Sequence, residues 1–270
     1  MITSHRNPLI KRIRRLGQKK YRRQEGAFFV EGIRAVLMAL ERQAPVETVV
    51  YAPELLTSEI AWEAIAKWQA AGSETTMISG DLFRTLSERD NPVGLGAVVG
   101  TQLHALETLS AGEGEIFVAL DDISDPGNLG TIVRTLDGMG GAGLILVGQT
   151  TDPFHPTAVK ASMGALFNIP VAEVDRMETL WAWAEENGVS TVATSAHADA
   201  LFWTADYRFP VLLLLGSEGE GLPPEVIERA DLAVSIPMHG ASSSLNLAVA
   251  GGLLLYELRR AAGGRAAAER

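Results

Sequence analysis

The second half of the chain contains a series of short, mostly apolar runs, at residues 116–120, 144–147, 171–174, 190–194, 211–215 and 232–236. A strand with one face in water alternates apolar and polar residues. A strand that is apolar at nearly every position must be buried on both faces. Helical patterns separate the runs, at 128–139, 156–163, 177–187, 223–230 and 244–260. Strands of this kind alternating with helices predict an α/β domain built on a mostly parallel sheet with helices on both sides. The apolar runs are too short for a membrane helix, which needs about 18–20 residues. The longest candidates are 211–215 and 245–256, and Asn246, Gly251 and Gly252 interrupt the second.

The first hundred residues read as a smaller alternating α/β unit. A strand end and a helix occupy 27–42, strands lie at 46–51, 75–78 and 96–100, and helices at 60–71 and 82–86. Residues 105–114 are polar, contain Gly112 and Gly114 and lack apolar periodicity, so they are the expected linker. The expected organisation is an N-terminal domain at 1–104, a linker at 105–114, a second domain at 115–262 and a flexible tail at 263–270. There is no cysteine, which excludes disulfides, thiolate metal sites and cysteine nucleophiles. A basic start without a following apolar segment is not a secretory signal. A soluble, cytoplasmic protein is the expectation.

Charge is unevenly placed. The net charge is −10, yet residues 1–34 hold ten Lys/Arg against two acids, while the rest holds 13 against 31. Attraction to a polyphosphate depends on local cation density, so a basic block on an acidic body is a candidate nucleic-acid footprint. Ile10, Ile13 and Leu16 recur at helical spacing between the cations, and Gly17 can end that helix. Lys19 to Arg23 then read as a loop or a new turn. The candidate RNA contacts are Lys11, Arg12, Arg15, Lys19, Lys20, Tyr21, Arg22 and Arg23, with Tyr21 able to stack on a base or to anchor the loop. A solvated basic helix face would read the same way. Removing residues 1–25 is expected to weaken nucleic-acid binding and flatten its salt dependence.

Gly138 to Gly143 match G-x-G-x-x-G, but follow a helix and precede a strand, the reverse of the dinucleotide fingerprint. They read as a helix end and tight turn, and an oxidoreductase would rest on them alone. The five histidines are scattered, with none at i, i+4, so no metal is expected.

Three other segments stand out. Asp125-Pro126-Gly127-Asn128-Leu129-Gly130 leaves a strand and starts a helix that carries Arg134, with Asn128 near the N-cap. Leu215-Gly216-Ser217-Glu218-Gly219-Glu220-Gly221 follows the most apolar strand. Its glycines allow close backbone approach, while its two carboxylates suit a neutral or cationic ligand better than a phosphate. Ile236-Pro237-Met238 leads to Ser244-Leu245-Asn246-Leu247-Ala248-Val249-Ala250, with Ser244 a plausible N-cap and Asn246 an amide that needs partners. Singly, each has a structural explanation: a capping Asn beside a surface Arg, a turn with solvated acids, a satisfied amide.

Together and in order, these segments resemble the SpoU-TrmH family of RNA ribose methyltransferases, of the SPOUT superfamily. Val159-Lys160-Ala161-Ser162-Met163-Gly164-Ala165-Leu166 is also similar to a family segment. Asn7-Pro8, Lys11, Tyr21-Arg22 and Phe29-Val30-Glu31-Gly32 resemble its N-terminal substrate-binding domain. The resemblance implies a C-terminal knotted (trefoil) parallel-sheet domain and a smaller N-terminal α/β domain resembling RNA-binding ribosomal proteins. It also implies a homodimer with the active site at the subunit interface. The implied cofactor is S-adenosylmethionine, held at Gly216, Ile236, Met238 and Leu245, with Ser195 or Ala196 after the strand at 190–194. The implied catalytic residues are Asn128, Arg134, Glu218, Ser244 and Asn246. The reaction would be in-line attack of a ribose 2′-hydroxyl on a methyl carbon, which needs alignment and a route for the proton, and requires no metal. The N-terminal domain favours rRNA over tRNA. A non-catalytic RNA-binding or ribosome-assembly protein of the same fold is the alternative.

Overall fold

The computed structural model describes residues 1–263. The chain forms two compact units. The first is Met1–Gln102 with Asp152–Asn168, and the second is Leu103–Thr151 with the chain from Ile169 on.

In the first unit, α1 (Pro8–Leu16), α2 (Lys19–Glu25), α3 (Ile33–Glu41), α4 (Glu59–Ala70) and α5 (Gly80–Arg84) surround four strands. These are β1 (Ala27–Glu31), β2 (Val46–Tyr51), β3 (Thr75–Met77) and β4 (Leu95–Gly100), in the order β1-β4-β2-β3. β4 is antiparallel to both neighbours, and β2 and β3 are parallel. Asn7 caps α1 with Pro8 in its first turn, and α1 buries Ile10, Ile13 and Leu16 beside Val50, Phe83 and Val98. Residues 19–23, expected as a loop or turn, are helical in α2, and Gly26, at φ 60°, ends that helix in a left-handed conformation. Since α1 supplies part of the core, removing residues 1–25 would unfold this unit rather than test its charge.

Asp152–Asn168, which the sequence places in the second domain, belongs to the first unit. Phe154 and Phe167 pack on Phe28 of β1, with centroids 4.9 and 6.1 Å away. The helix at Pro156–Ser162 (α7) follows Phe154 and also packs against β1. Arg22 is only 2 % exposed. Its Nε and second terminal nitrogen reach Asp152 Oδ2 at 2.8 and 2.7 Å, and its other terminal nitrogen donates to the Leu16 carbonyl at 2.8 Å. Arg22 is therefore not an RNA contact: a charge fully enclosed and paired cannot meet a phosphate. Breaking one side of a buried pair leaves an uncompensated charge, so Asp152→Ala is expected to cost about 3–5 kcal/mol. Arg22→Met/Asp152→Leu should recover most of it. Urea denaturation of the full chain checks this, and a loss below about 1 kcal/mol in Asp152→Ala would contradict it.

The second unit has seven strands: β5 (Ile116–Asp121), β6 (Gly143–Val147), β7 (Val171–Val174), β8 (Ser190–Thr194), β9 (Ala200–Leu201), β10 (Val211–Leu215) and β11 (Leu232–Ser235). Their order is β7-β6-β5-β10-β8-β11-β9, and every pairing is parallel. The helices are α6 (Pro126–Gly138), α8 (Met177–Glu186), α9 (Pro224–Arg229) and α10 (Leu247–Gly263). Phe117, Ala119, Leu212 and Leu214 share a cluster with Leu180, Trp183 and Val226 from α8 and α9. The intervening Val118, Leu120, Leu213 and Leu215 point to the opposite face, where Leu215 lies near Gly251 of α10. Burial on both faces explains why the runs are mostly apolar.

The expected linker is part of this unit. Leu106 and Leu109 are buried in its core, Trp183 Nε1 donates to the Leu109 carbonyl at 3.3 Å, and His104 bridges to Ala172. Two leucines three residues apart gave too short a pattern to register as periodic. Gly138 closes α6 and Gly140 turns with φ 70°, the helix end and tight turn expected there. The last helix, expected at 244–260, runs as α10 from Leu247 to Gly263. Residues 264–270 of the expected tail lie outside the described residues.

Candidate functional site

Parallel sheets bind ligands beyond the carboxyl ends of their strands, where the strand order changes direction. In the second unit the neighbours β5, β10, β8 and β11 end at Asp121, Leu215, Thr194 and Ser235. The loops after β8, β10 and β11, with the first turns of α10, enclose a cavity of about 500 Å³.

Of the six expected cofactor residues, Ser195, Ala196, Ile236, Met238 and Leu245 line this cavity. Gly216 is not among its lining residues. A Cβ on Gly216 would overlap the backbone of Gly221 and Leu222, and the bridge between Ser217 and Gly221 closes the loop there. The cavity also takes Leu222 and Leu254 as apolar walls, and Glu218, Glu220 and His197 as polar ones. His197 and Leu254 were not anticipated, since neither lies in a motif. Apolar walls for a flat ring and two carboxylates for a positive sulfur suit S-adenosylmethionine.

Beside the cavity, three distant segments meet through side-chain amides. The Asn246 side-chain oxygen accepts from the backbone N–H groups of Ala248 and Val249 at 2.9 and 3.3 Å, so Asn246 caps α10. Ser244 does not cap this helix: it is exposed and lines the cavity. With its oxygen so used, Asn246 presents Nδ2 to Asn128 Oδ1 at 2.9 Å. Asn128 must then offer its own Nδ2, which donates to Glu218 Oε1 at 3.1 Å. The chain of donors thus has one direction, set by the α10 cap.

Asn128 is not the N-cap of α6. That position is Asp125, whose side chain accepts from the Asn128 N–H at 2.9 Å, with Pro126 opening the helix. An Asp just before a Pro was the signal for it. Asn128 is thereby freed to face Glu218. Glu218 further accepts from Asp125 N at 3.2 Å and from Ser124 N and Oγ, both at 3.3 Å. Burial pushes the Glu218 carboxyl up, but the hydrogen bonds from Asn128 and the backbone outweigh it and hold the pKa below the usual carboxylate range. The ionised form therefore stabilises the network fully above the ordinary pKa, and this is lost as pH falls through the lowered one.

Arg134 does not join this group. It is exposed on α6, six residues beyond Asn128, which turns it about 240° around the helix. It makes no ion pair among the described residues. The adjacent Thr135 faces Gly252 of α10, 3.9 Å from where a Cβ there would stand. Among the described residues no cluster of His, Asp and Glu could hold a metal ion.

The remaining expected RNA contacts lie on α1 and α2 of the first unit. Lys11, Lys19, Lys20 and Arg23 are exposed. Arg12 pairs with Glu25 and Glu47, which raise its pKa, and Arg15 lies 3.7 Å from Glu25. Tyr21 lies under the Arg15 guanidinium, 4.3 Å from its ring centroid.

Comparison with known proteins adds to this geometry. Residues 115–256 match the SpoU rRNA Methylase family, and residues 7–97 match the MRM3-like substrate binding domain. A solved AdoMet-bound rRNA methyltransferase from Sinorhizobium meliloti superposes with a TM-score of 0.87 at 40% identity, over 96% of this chain and 97% of that one. The 23S rRNA (uridine(2479)-2'-O)-methyltransferase of Streptomyces viridochromogenes is 33% identical over 259 residues, 93% of this chain and 89% of that protein. The 23S rRNA (guanosine(2553)-2'-O)-methyltransferase RlmP of Bacillus subtilis is 29% identical over 262 residues, 96% of this chain and 98% of that protein.

Proposed function

We infer, for a chain that belongs to the SpoU rRNA methylase family, S-adenosylmethionine-dependent methylation of a ribose 2′-hydroxyl in rRNA. The methyltransferase activity, its cofactor class and an RNA substrate follow from relatives similar over nearly the whole chain. They favour catalysis over the non-catalytic alternative. The choice of rRNA over tRNA, the residue roles, the homodimer, the trefoil knot and the cytoplasmic location are our proposals. The observation carrying the reading is the directed chain from Asn246 through Asn128 to Glu218 at the edge of the cavity. A pure RNA binder has no use for it.

S-adenosylmethionine, when bound, supplies an electrophilic methyl carbon on a sulfonium. Gly216 lets the loop fold tightly enough to present its backbone, Ile236, Met238 and Leu245 enclose the adenosine, and Ser195 or Ala196 contributes at the carboxyl end of β8. Glu218, ionised, fixes Asn128, and with Ser244 and Asn246 these groups orient the ribose. A guanidinium stays protonated. Arg134 therefore anchors the phosphate beside the target and polarises the hydroxyl, lowering the cost of releasing its proton.

Arg134 can do this only if it meets a cavity, and its position points to a second copy. On α10, Val249, Leu253 and Tyr256 are 52, 44 and 62 % exposed at helical spacing, forming an apolar stripe that starts next to Asn246. Pairing two copies through this stripe brings Arg134 of one toward the site of the other. Leu253→Asp is expected to give a monomer in sedimentation and to lose most methyl transfer without losing secondary structure. A fully active monomer would contradict the dimer. The knot is supported by the strand order, in which β10 inserts between β5 and β8 while α10 packs back on α6. No helix among the described residues is long and apolar enough to cross a membrane.

The test of substrate class is transfer of labelled methyl from S-adenosylmethionine to unmodified 23S rRNA, 16S rRNA and bulk tRNA. Incorporation into rRNA is expected, and incorporation into tRNA alone would overturn the choice of rRNA.

A further inference from the structure

The first unit carries a cleft between the end of α1, β1 and α7. Two adjoining hollows of about 280 and 200 Å³ share Glu31, Arg89, Val159 and Lys160. Leu16, Phe29 and Val159 form an apolar floor, while Arg14, Arg34, Arg89 and Lys160 stand on the walls. All of these residues belong to the one unit, because Asp152–Asn168 packs within it.

The four cations have no carboxylate partner within ion-pair distance among the described residues. Arg14 bonds to His5 and Thr85 at 2.7 and 2.9 Å, and Lys160 reaches the Glu88 carbonyl at 3.4 Å. The carboxylates lining the cleft are Glu31 and Glu88, and Glu31 is engaged by the Ser87 hydroxyl at 2.6 Å. One terminal nitrogen of Arg89 reaches the Glu31 carbonyl at 3.5 Å. Gly32 has φ 109°, and the Arg89 guanidinium lies against it, 2.9 Å from where a Cβ would stand. Among the neighbouring cations Arg12 and Arg15 are paired with acids and Arg22 is buried. In a chain of net charge −10, unpaired cations over an apolar floor favour a phosphodiester with an unstacked base.

We propose that this cleft binds a single-stranded nucleotide of the substrate RNA, its base on the apolar floor and its flanking phosphates on Arg89, Lys160, Arg14 and Arg34. The proposal rests on the RNA-methylating reading above, to which it adds a substrate-binding subsite away from the reaction.

The test measures binding of the full chain to deproteinised, unmodified 23S and 16S rRNA across a salt series, with methyl transfer followed on the same preparations. Arg89→Gln/Lys160→Gln is expected to weaken binding about tenfold or more and to lower the slope of log K against log salt by about 1.4–1.8, the equivalent of two phosphate contacts. Affinity for S-adenosylmethionine should not change. Arg14→Gln/Lys160→Gln, at two exposed positions, should act in the same direction and guards against a folding defect at Arg89. Lys67→Gln, on α4 outside the cleft, should change neither quantity. If both pairs bind rRNA as the unaltered protein does while that protein methylates it, the cleft is overturned and the activity stands. If the unaltered protein neither binds nor methylates either rRNA, the rRNA reading fails and the cleft falls with it.

Discussion

Arg134→Ala is expected to reduce methyl transfer to RNA by about 10²–10³-fold or more, the scale seen when one donor that stabilises developing charge is removed. Binding of S-adenosylmethionine should remain within about twofold of the unaltered protein. The division follows from geometry: Arg134 is exposed on α6 and the cavity is lined without it. Arg134→Lys sharpens the expectation. Lysine keeps the charge but loses the planar, forked donor set, so a phosphate anchor should be restored in part and a purely structural role in full. Single-turnover transfer with saturating cofactor is the measurement. Turnover like that of the unaltered protein in Arg134→Ala would remove Arg134 from the mechanism.

Gly216→Val is expected to give the opposite pattern, loss of cofactor binding first. Any Cβ at this position overlaps the backbone of Gly221 and Leu222, and neither can move without opening the loop that Ser217 and Gly221 close. Glu218 sits inside that loop and orders Asn128, so opening it also breaks the directed amide chain. S-adenosylmethionine affinity should fall by about 10²-fold or more in calorimetry, with the parallel sheet intact by circular dichroism. The effect should persist at high RNA concentration, whereas the cleft variants on the first unit are rescued by added RNA. Unchanged affinity would mean that the loop does not shape the cofactor cavity.

Much of the second unit was legible because its physics is local. Strands buried on both faces must be apolar throughout, and β5, β6 and β10 show it without a break. The reversed context of Gly138 to Gly143 was likewise enough to read a helix end. What stayed hidden depends on partners far along the chain. Arg22 sits among cations, and nothing near it announces Asp152, 130 residues on, which buries and neutralises it. The same distance hid the transfer of Asp152–Asn168 to the first unit, although Phe28 and Phe154 are both ordinary core aromatics. The motif segments do meet in the structure, but the caps fall to other residues than the sequence suggested. Ser244 and Asn128 have good capping side chains, as do Asn246 and Asp125. Only the geometry shows that Asn246 caps α10 while still donating to Asn128. The resemblance named Arg134 as catalytic, yet its separation from the cavity becomes visible only once α6 is built.

The most direct test of the central claim, methylation of a ribose hydroxyl, is the chemical fate of the label. Unmodified rRNA would be methylated with labelled S-adenosylmethionine and then hydrolysed completely in alkali. Alkaline cleavage uses the free 2′-hydroxyl as nucleophile, so a 2′-O-methylated residue protects its own phosphodiester and survives in a dinucleotide. The account predicts that the label is recovered in alkali-resistant dinucleotides and is absent from the Arg134→Ala reaction. Label in mononucleotides would place the methyl group on a base and contradict the account.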